Sequence, residues 1–135
     1  MPEARVRAKK DNASTIRRIV ILADNDELIR RLLENVLTQM GYSTLHASDE
    51  LEIAHLFHLR QHQLALFIID ISLLKAAGRA LVNHLRTLQP PIPVLLTTFL
   101  DQLEVPDHYK EGFTLLQKPF TLTALRERIR ALRRT

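Results

Sequence analysis

Cysteine is absent from this chain. That excludes a disulfide framework and any thiolate metal site, and it accords with a reducing compartment. Tryptophan is absent as well, and Leu, Ile and Val dominate the apolar residues, so the expected core is aliphatic. Glycine occurs only three times and never in a cluster, which leaves no glycine-rich loop to cradle a nucleotide phosphate. Long hydrophobic runs are also missing. The longest, residues 64–69, is far short of a membrane span, and the basic N-terminus has no apolar segment behind it to make a signal peptide. The expectation is a cytoplasmic protein without a membrane segment.

What is present is an ordinary globular balance in 135 residues, 46% apolar and 25% charged, enough for one domain with a real core. The net charge of +4 is unevenly spread. Residues 19–120 hold 8 basic and 12 acidic residues, so the body is acidic and the basicity lies at the two ends. Residues 1–16 are polar, charged and aperiodic, and read as a flexible basic leader ahead of a domain over 17–135. Near the C-terminus, Arg126, Arg130, Arg133 and Arg134 could meet nucleic-acid phosphates. With no aromatic residues or DNA-reading motif beside them, a solvated helix face is the favoured reading and nucleic acid is not an expected partner.

Two apolar patterns alternate. "RIVILA" (18–23), "STLHA" (43–47), "LALFIID" (64–70), "IPVLLTT" (92–98) and "FTLLQ" (113–117) are short β-branched or continuously apolar runs that predict five strands. Between them, Leu28, Ile29, Leu32, Leu33, Val36, Leu37 and Met40 recur at helical spacing and stop at Gly41. Asp49 and Glu52 form a capping pattern ahead of Ile53, Leu56 and Phe57. Leu81, Leu85 and Leu88 predict a third helix, residues 101–111 a weak fourth that Pro106 interrupts, and Leu122, Leu125, Ile129 and Leu132 a fifth capped by Thr121. Strand and helix in strict alternation imply an α/β fold: a doubly wound, five-stranded parallel sheet with helices on both faces. Ligands of such sheets sit at the carboxyl ends of the strands.

Those ends carry the chemistry-bearing residues. The first strand runs into Asp24-Asn25-Asp26, the third ends in Asp70, the fourth in Thr97-Thr98, and the fifth is followed by Lys118-Pro119. A carboxylate directly after six apolar residues must be solvated at a cleft or paired. Alone, Asp70 could cap the next segment or form a structural ion pair with Lys118. Several such residues at one sheet edge favour a site.

Over residues 17–134 the chain resembles the receiver domain of bacterial two-component response regulators. The resemblance rests on "ADND", on "FIIDISLL" with Gly78 eight residues after its aspartate, on the hydroxyl ending "PVLLTT", and on "LLQKPF". It implies a flavodoxin-like sheet of order 2-1-3-4-5. It also implies that Asp70 accepts a phosphoryl group from a histidine kinase or phosphotransfer protein, with Lys118 pairing the phosphoryl oxygens and the Thr98 hydroxyl acting as the switch. Thr98 matches better than Thr97 by its distance from Pro93. Mg²⁺ is the implied cofactor, held by Asp24, Asn25, Asp70 and the backbone carbonyl of Ser72. The implied output is protein–protein contact with a further partner, and homodimer formation is left open.

Four departures accompany the resemblance. Asn25 stands where a second carboxylate is usual, which keeps an oxygen ligand and drops one charge. At about 4 Å and an effective dielectric of roughly 20 a unit charge is worth about 4 kcal/mol, much of it offset by desolvation, so weakened Mg²⁺ binding is expected. Asp26 is assigned to the helix N-terminus. Leu74 replaces a common proline, Phe99 replaces a small residue beside the switch, and Leu115 takes the place of the switch aromatic. The alternative is a divergent receiver-like interaction module with weak or no Mg²⁺-dependent phosphorylation.

Overall fold

The computed structural model describes residues 17–88, 91–101, 103–110 and 113–133, with the side chains of residues 76 and 77 left aside. The expected leader over 1–16, and Arg134, lie outside the described residues. Five strands form one sheet: β1 (Ile19–Ala23), β2 (Ser43–His46), β3 (Leu64–Asp70), β4 (Val94–Thr98) and β5 (Thr114–Gln117). All four pairings are parallel and the order is β2-β1-β3-β4-β5. Among the described residues there are four α-helices: α1 (Glu27–Gln39), α2 (Glu50–Arg60) and α3 (Ala76–Arg86) connect β1 through β4, and α4 (Leu122–Arg133) follows β5.

The sheet separates two apolar layers because successive strand residues point to opposite faces. Ile21, Phe67, Ile69 and Leu96 meet Ile53 and Phe57 of α2 and Val82 and Leu85 of α3. Val20, Leu22, Ile68 and Leu95 meet Leu33, Val36 and Leu37 of α1 and Leu125 and Ile129 of α4. β4 is buried throughout, and β3 at every residue but Asp70, as their continuous apolar runs predict for strands covered on both faces.

Local chemistry sets the helix ends. Asp26 caps α1 by accepting from the Ile29 amide at 3.1 Å. α1 then stops at Gly41, which adopts φ 94°, while the Tyr42 amide returns to the Leu37 carbonyl and the Gly41 amide to that of Thr38. Asp49 caps α2 through the Glu52 amide at 2.8 Å. The reciprocal half of that box is displaced by one residue: the Glu52 carboxylate accepts from the amide and hydroxyl of Ser48. These two bonds hold the Glu52 carboxyl below its ordinary range. Thr121 caps α4 by accepting from the Ala124 amide at 3.0 Å.

The fourth predicted helix, over 101–111, is corrected. In its place the segment folds as a turn anchored on Asp101, which accepts from the amides of Leu103 and Glu104, followed by a 3₁₀ turn over Asp107–Tyr109. Pro106 is the cause. It has no N–H to extend a helix and sits at extended ψ 141°. Tyr109 and Val105 nevertheless reach into the core and pin the segment down.

Candidate functional site

At the carboxyl edge of the sheet, β1, β3 and β5 deliver three charges to one point. The Lys118 ammonium lies 2.7 Å from a carboxylate oxygen of Asp24 and 2.7 Å from one of Asp70. Asp24 is 1% exposed and Lys118 3%, so these are buried charges whose desolvation is offset by pairing. The remaining carboxylate oxygens are also bonded. Asp24 Oδ1 accepts from the Asp26 amide and Asp70 Oδ1 from the Ser72 amide, both at 2.9 Å.

The electrostatics follow from that cluster. Burial pushes the Asp70 carboxyl up, but the Lys118 ammonium and the bonds from Ser72 outweigh it and hold the group below the ordinary range. Burial pushes Lys118 down, and the two carboxylates more than reverse this, so its ammonium is held more firmly than usual. Asp70 is therefore an ionised, partly exposed carboxylate beside a fixed cation.

Asn25 stands apart from the cluster. It is exposed, and its Nδ2 donates to the Ser48 carbonyl at 3.2 Å, tying the end of β1 to the start of α2. The Asn25 amide oxygen and the Ser72 backbone carbonyl belong to residues that line one cleft of about 430 Å³ with Ser48, Asp49, Glu50 and Lys75. As candidate metal donors, Asp24, Asp70, Asn25 and Ser72 offer oxygen alone, the donor set a hard divalent cation takes. Their charge is two carboxylates. Among the described residues no three His, Cys, Asp or Glu side chains converge as a metal-binding group.

Thr98 ends β4 and is buried, yet its hydroxyl accepts from the Leu100 amide at 3.0 Å and is bonded to its own loop. Its carbonyl accepts from the Lys118 amide at 2.7 Å, which fixes the backbone of the lysine, whose peptide to Pro119 is cis. Thr97 is the ladder partner of Asp70, fully buried, with a hydroxyl that has no hydrogen-bond partner. Phe99 lays its ring 5.1 Å from the Lys118 ammonium while remaining 65% exposed, forming an aromatic wall to the site. Leu115 packs with the α2 and α3 layer, and Leu74 closes the turn after Asp70 through its own N–H to the Ile71 carbonyl at 2.9 Å. A proline at 74 could not make that bond.

Three arginines of α4 reach back to the body, while Arg130 is exposed. Arg126 donates to Gln39 at 2.8 Å, Arg128 donates to the Leu115 carbonyl, and Arg133 lies over the Tyr42 ring. These contacts favour a packed helix face over a nucleic-acid surface. Two features were not foreseen from the chain: the Asp24–Lys118 pair and the bond from Asn25 to Ser48. The lysine after an apolar strand signalled the first in part, whereas a bond to a backbone carbonyl leaves no trace in residue type.

Comparisons with known proteins agree with this geometry. The chain is 35% identical over 122 residues to "Transcriptional regulatory protein TctD" of Salmonella typhimurium, covering 87% of this chain and 52% of that protein. It is 34% identical to "Probable transcriptional regulator ycf27" of Guillardia theta, covering 86% and 46%. The chain thus spans about half the length of the curated relatives it matches. In fold it is similar to a response regulator from Thermotoga maritima, with TM-score 0.71 at 21% identity over 89% of this chain and 100% of that one. The family model described as "Response regulator receiver domain" matches residues 20–130, and with the sheet order and the edge of acid and lysine just described, the chain belongs to the receiver domains of two-component response regulators.

Proposed function

We propose that Asp70 is the phosphoacceptor of this receiver domain, that the domain spans residues 17–135, and that its donor is a sensor histidine kinase or a phosphotransfer protein. The observation that carries this reading is the Lys118 ammonium held 2.7 Å from both Asp24 and Asp70. Receiver domains take part in their own phosphoryl transfer and typically use Mg²⁺.

The transfer forms one bond and breaks one. A carboxylate oxygen of Asp70 attacks the phosphorus of a phosphohistidine, the P–N bond breaks, and the imidazole leaves with the electron pair and takes up a proton. Its lowered pKa keeps the nucleophile ionised, and Lys118 is placed to follow the charge onto the phosphoryl oxygens, so most of the catalysis is positioning and charge neutralisation. Asp24, Asp70, the Asn25 amide oxygen and the Ser72 carbonyl would hold Mg²⁺, which when bound supplies further neutralisation of phosphoryl charge. With an amide at position 25, that affinity is weakened. Phe99 narrows the approach to Lys118, and the Thr98 hydroxyl must leave the Leu100 amide to act as the switch.

Output passes through contact with a downstream protein, and the cytoplasm is the proposed location. No helix among the described residues is long and apolar enough to cross a membrane. The test is the intact mass of the protein after incubation with acetyl phosphate, with and without Mg²⁺, beside Asp70→Asn. A Mg²⁺-dependent phosphoryl adduct absent from the variant is expected. No adduct at high Mg²⁺ would favour a constitutive interaction module.

A further inference from the structure

The segment 71–75, which leads from Asp70 into α3, is pinned at three places. Two pins are local: the Ser72 amide bonds to Asp70, and the Leu74 amide bonds to the Ile71 carbonyl. The third comes from another element. Lys75 occupies the N-cap of α3 and provides no side-chain cap of its own. Its amide instead donates to Glu50 Oε2 at 3.0 Å, a carboxylate from the first turn of α2, 25 residues away in the chain. A carboxylate beside the unpaired amides of a helix start is favourably placed.

The seat of that carboxylate depends on Gly78. A methyl group at residue 78 would lie 2.3 Å from Glu50 Oε2 and 2.7 Å from Leu74 Cδ2, so any larger residue would push the carboxylate out. The same corner of α2 also holds the opposite wall of the cleft, because Asn25 donates to the carbonyl of Ser48, two residues before Glu50. Residues 48–50 therefore bracket both Asn25 and the 71–75 segment around one cleft. Neither the acid pair nor Lys118 takes part in this bracket.

We propose that Glu50 is a positioning residue: by capping α3 from α2 it sets the place of the Ser72 carbonyl relative to Asp70 and Asn25, and so the affinity of the site for Mg²⁺. The inference rests on the receiver reading given above. It assigns no bond between Glu50 and the metal. Its action is through the loop alone.

The experiment compares wild type, Glu50→Ala, Glu50→Gln and Gly78→Ala by two readouts. In the metal-free protein, exchange of the Lys75 amide is followed by NMR, and about tenfold faster exchange is expected in Glu50→Ala, with Glu50→Gln close to wild type because it keeps an acceptor oxygen. With acetyl phosphate as donor, the Mg²⁺ concentration giving half-maximal labelling is expected to rise roughly threefold or more in Glu50→Ala and Gly78→Ala, and to be nearly restored in Glu50→Gln. A residue that merely stabilised the fold would lower the urea midpoint and leave that concentration where it was. An unmoved half-saturation point in Glu50→Ala, or a shift in Glu50→Gln as large as in Glu50→Ala, overturns the inference while labelled wild type sustains the receiver reading. Unlabelled wild type overturns both. If Gly78→Ala does not fold, the two Glu50 variants decide.

Discussion

The strand ends at the sheet edge are built to two different standards. At the ends of β1, β3 and β5, every charged oxygen of Asp24 and Asp70 has a partner, and Lys118 bridges both. At the end of β4, which lies between β3 and β5, and in the segment after it, Thr97 carries a buried hydroxyl with no partner, Thr98 bonds to its own loop, and Phe99 and Leu103 stand 65% and 92% exposed. The reason is energetic. A buried charge without a partner costs several kcal/mol, so Asp24, Asp70 and Lys118 must be paired, while a misplaced hydroxyl or an exposed apolar side chain costs far less. The four departures from the family pattern, Asn25, Leu74, Phe99 and Leu115, all leave these three charges in place.

Removing the lysine should break the contrast most severely. Lys118→Ala leaves two carboxylates facing each other in a buried site and is expected to lower stability by about 3–5 kcal/mol at neutral pH, read from urea denaturation. The deficit should shrink on acidification, as the carboxylates of the variant take up protons. In wild type the sign is set by the two shifts. Asp70, held low, contributes fully above its ordinary value of about 3.9 and loses that contribution as the pH falls through its lower folded value. Lys118, held high, contributes fully below its ordinary value of about 10.4 and loses it as the pH rises through its raised folded value. The contribution of this pair should thus be flat between those limits, checked as the stability difference between wild type and Lys118→Ala, and a loss of that difference well inside the limits would contradict the pairing.

A smaller effect is expected from restoring the missing charge. Asn25→Asp should tighten Mg²⁺ binding about tenfold, since most of a roughly 4 kcal/mol Coulomb gain is offset by desolvation. Calorimetric titration checks it, and equal affinities would show that position 25 does not face the metal.

The end of β4 can be probed by paired substitutions of opposite sign. Thr97→Val removes an unsatisfied hydroxyl and should stabilise by about 1 kcal/mol, whereas Thr98→Val strands the Leu100 amide and should cost a similar amount. Equal signs in denaturation midpoints would mean that the Thr97 hydroxyl is satisfied after all. Least of all, Phe99→Ala should change stability by under about 1 kcal/mol, the size of an exposed cation–π contact. Its signature is kinetic instead: labelling by acetyl phosphate roughly twofold to fivefold faster once the ring is gone, and an unchanged rate would remove Phe99 as a barrier.

How much of this could be read from the chain divides along the same line. The five strands, four of the helices and the gathering of Asp24, Asp70 and Lys118 at one sheet edge follow from apolar runs that end abruptly in charge, whereas the strand order is what the resemblance to receiver domains implies and the Asp24–Lys118 pair is visible in the structure alone. Pro106 already marked 101–111 as doubtful helix, although the 3₁₀ turn anchored on Tyr109 could not be foreseen from spacing. The Glu50 cap on α3 and the Asn25 bond to Ser48 were invisible for a physical reason. Each joins a side chain to a backbone group more than twenty residues away, and backbone groups look alike at every position.

The bridging lysine has a consequence in time. Lys118 lies 94 positions after Asp24 and 48 after Asp70, so both acids leave the ribosome well before their counter-charge exists. Until β5 docks, Asp24 cannot be buried without an unpaired charge, and the acid pair must stay hydrated. The charged edge of the sheet therefore cannot be assembled before β5 is in place, and a chain in which Asp24 is buried beside its counter-charge is one whose sheet has already closed.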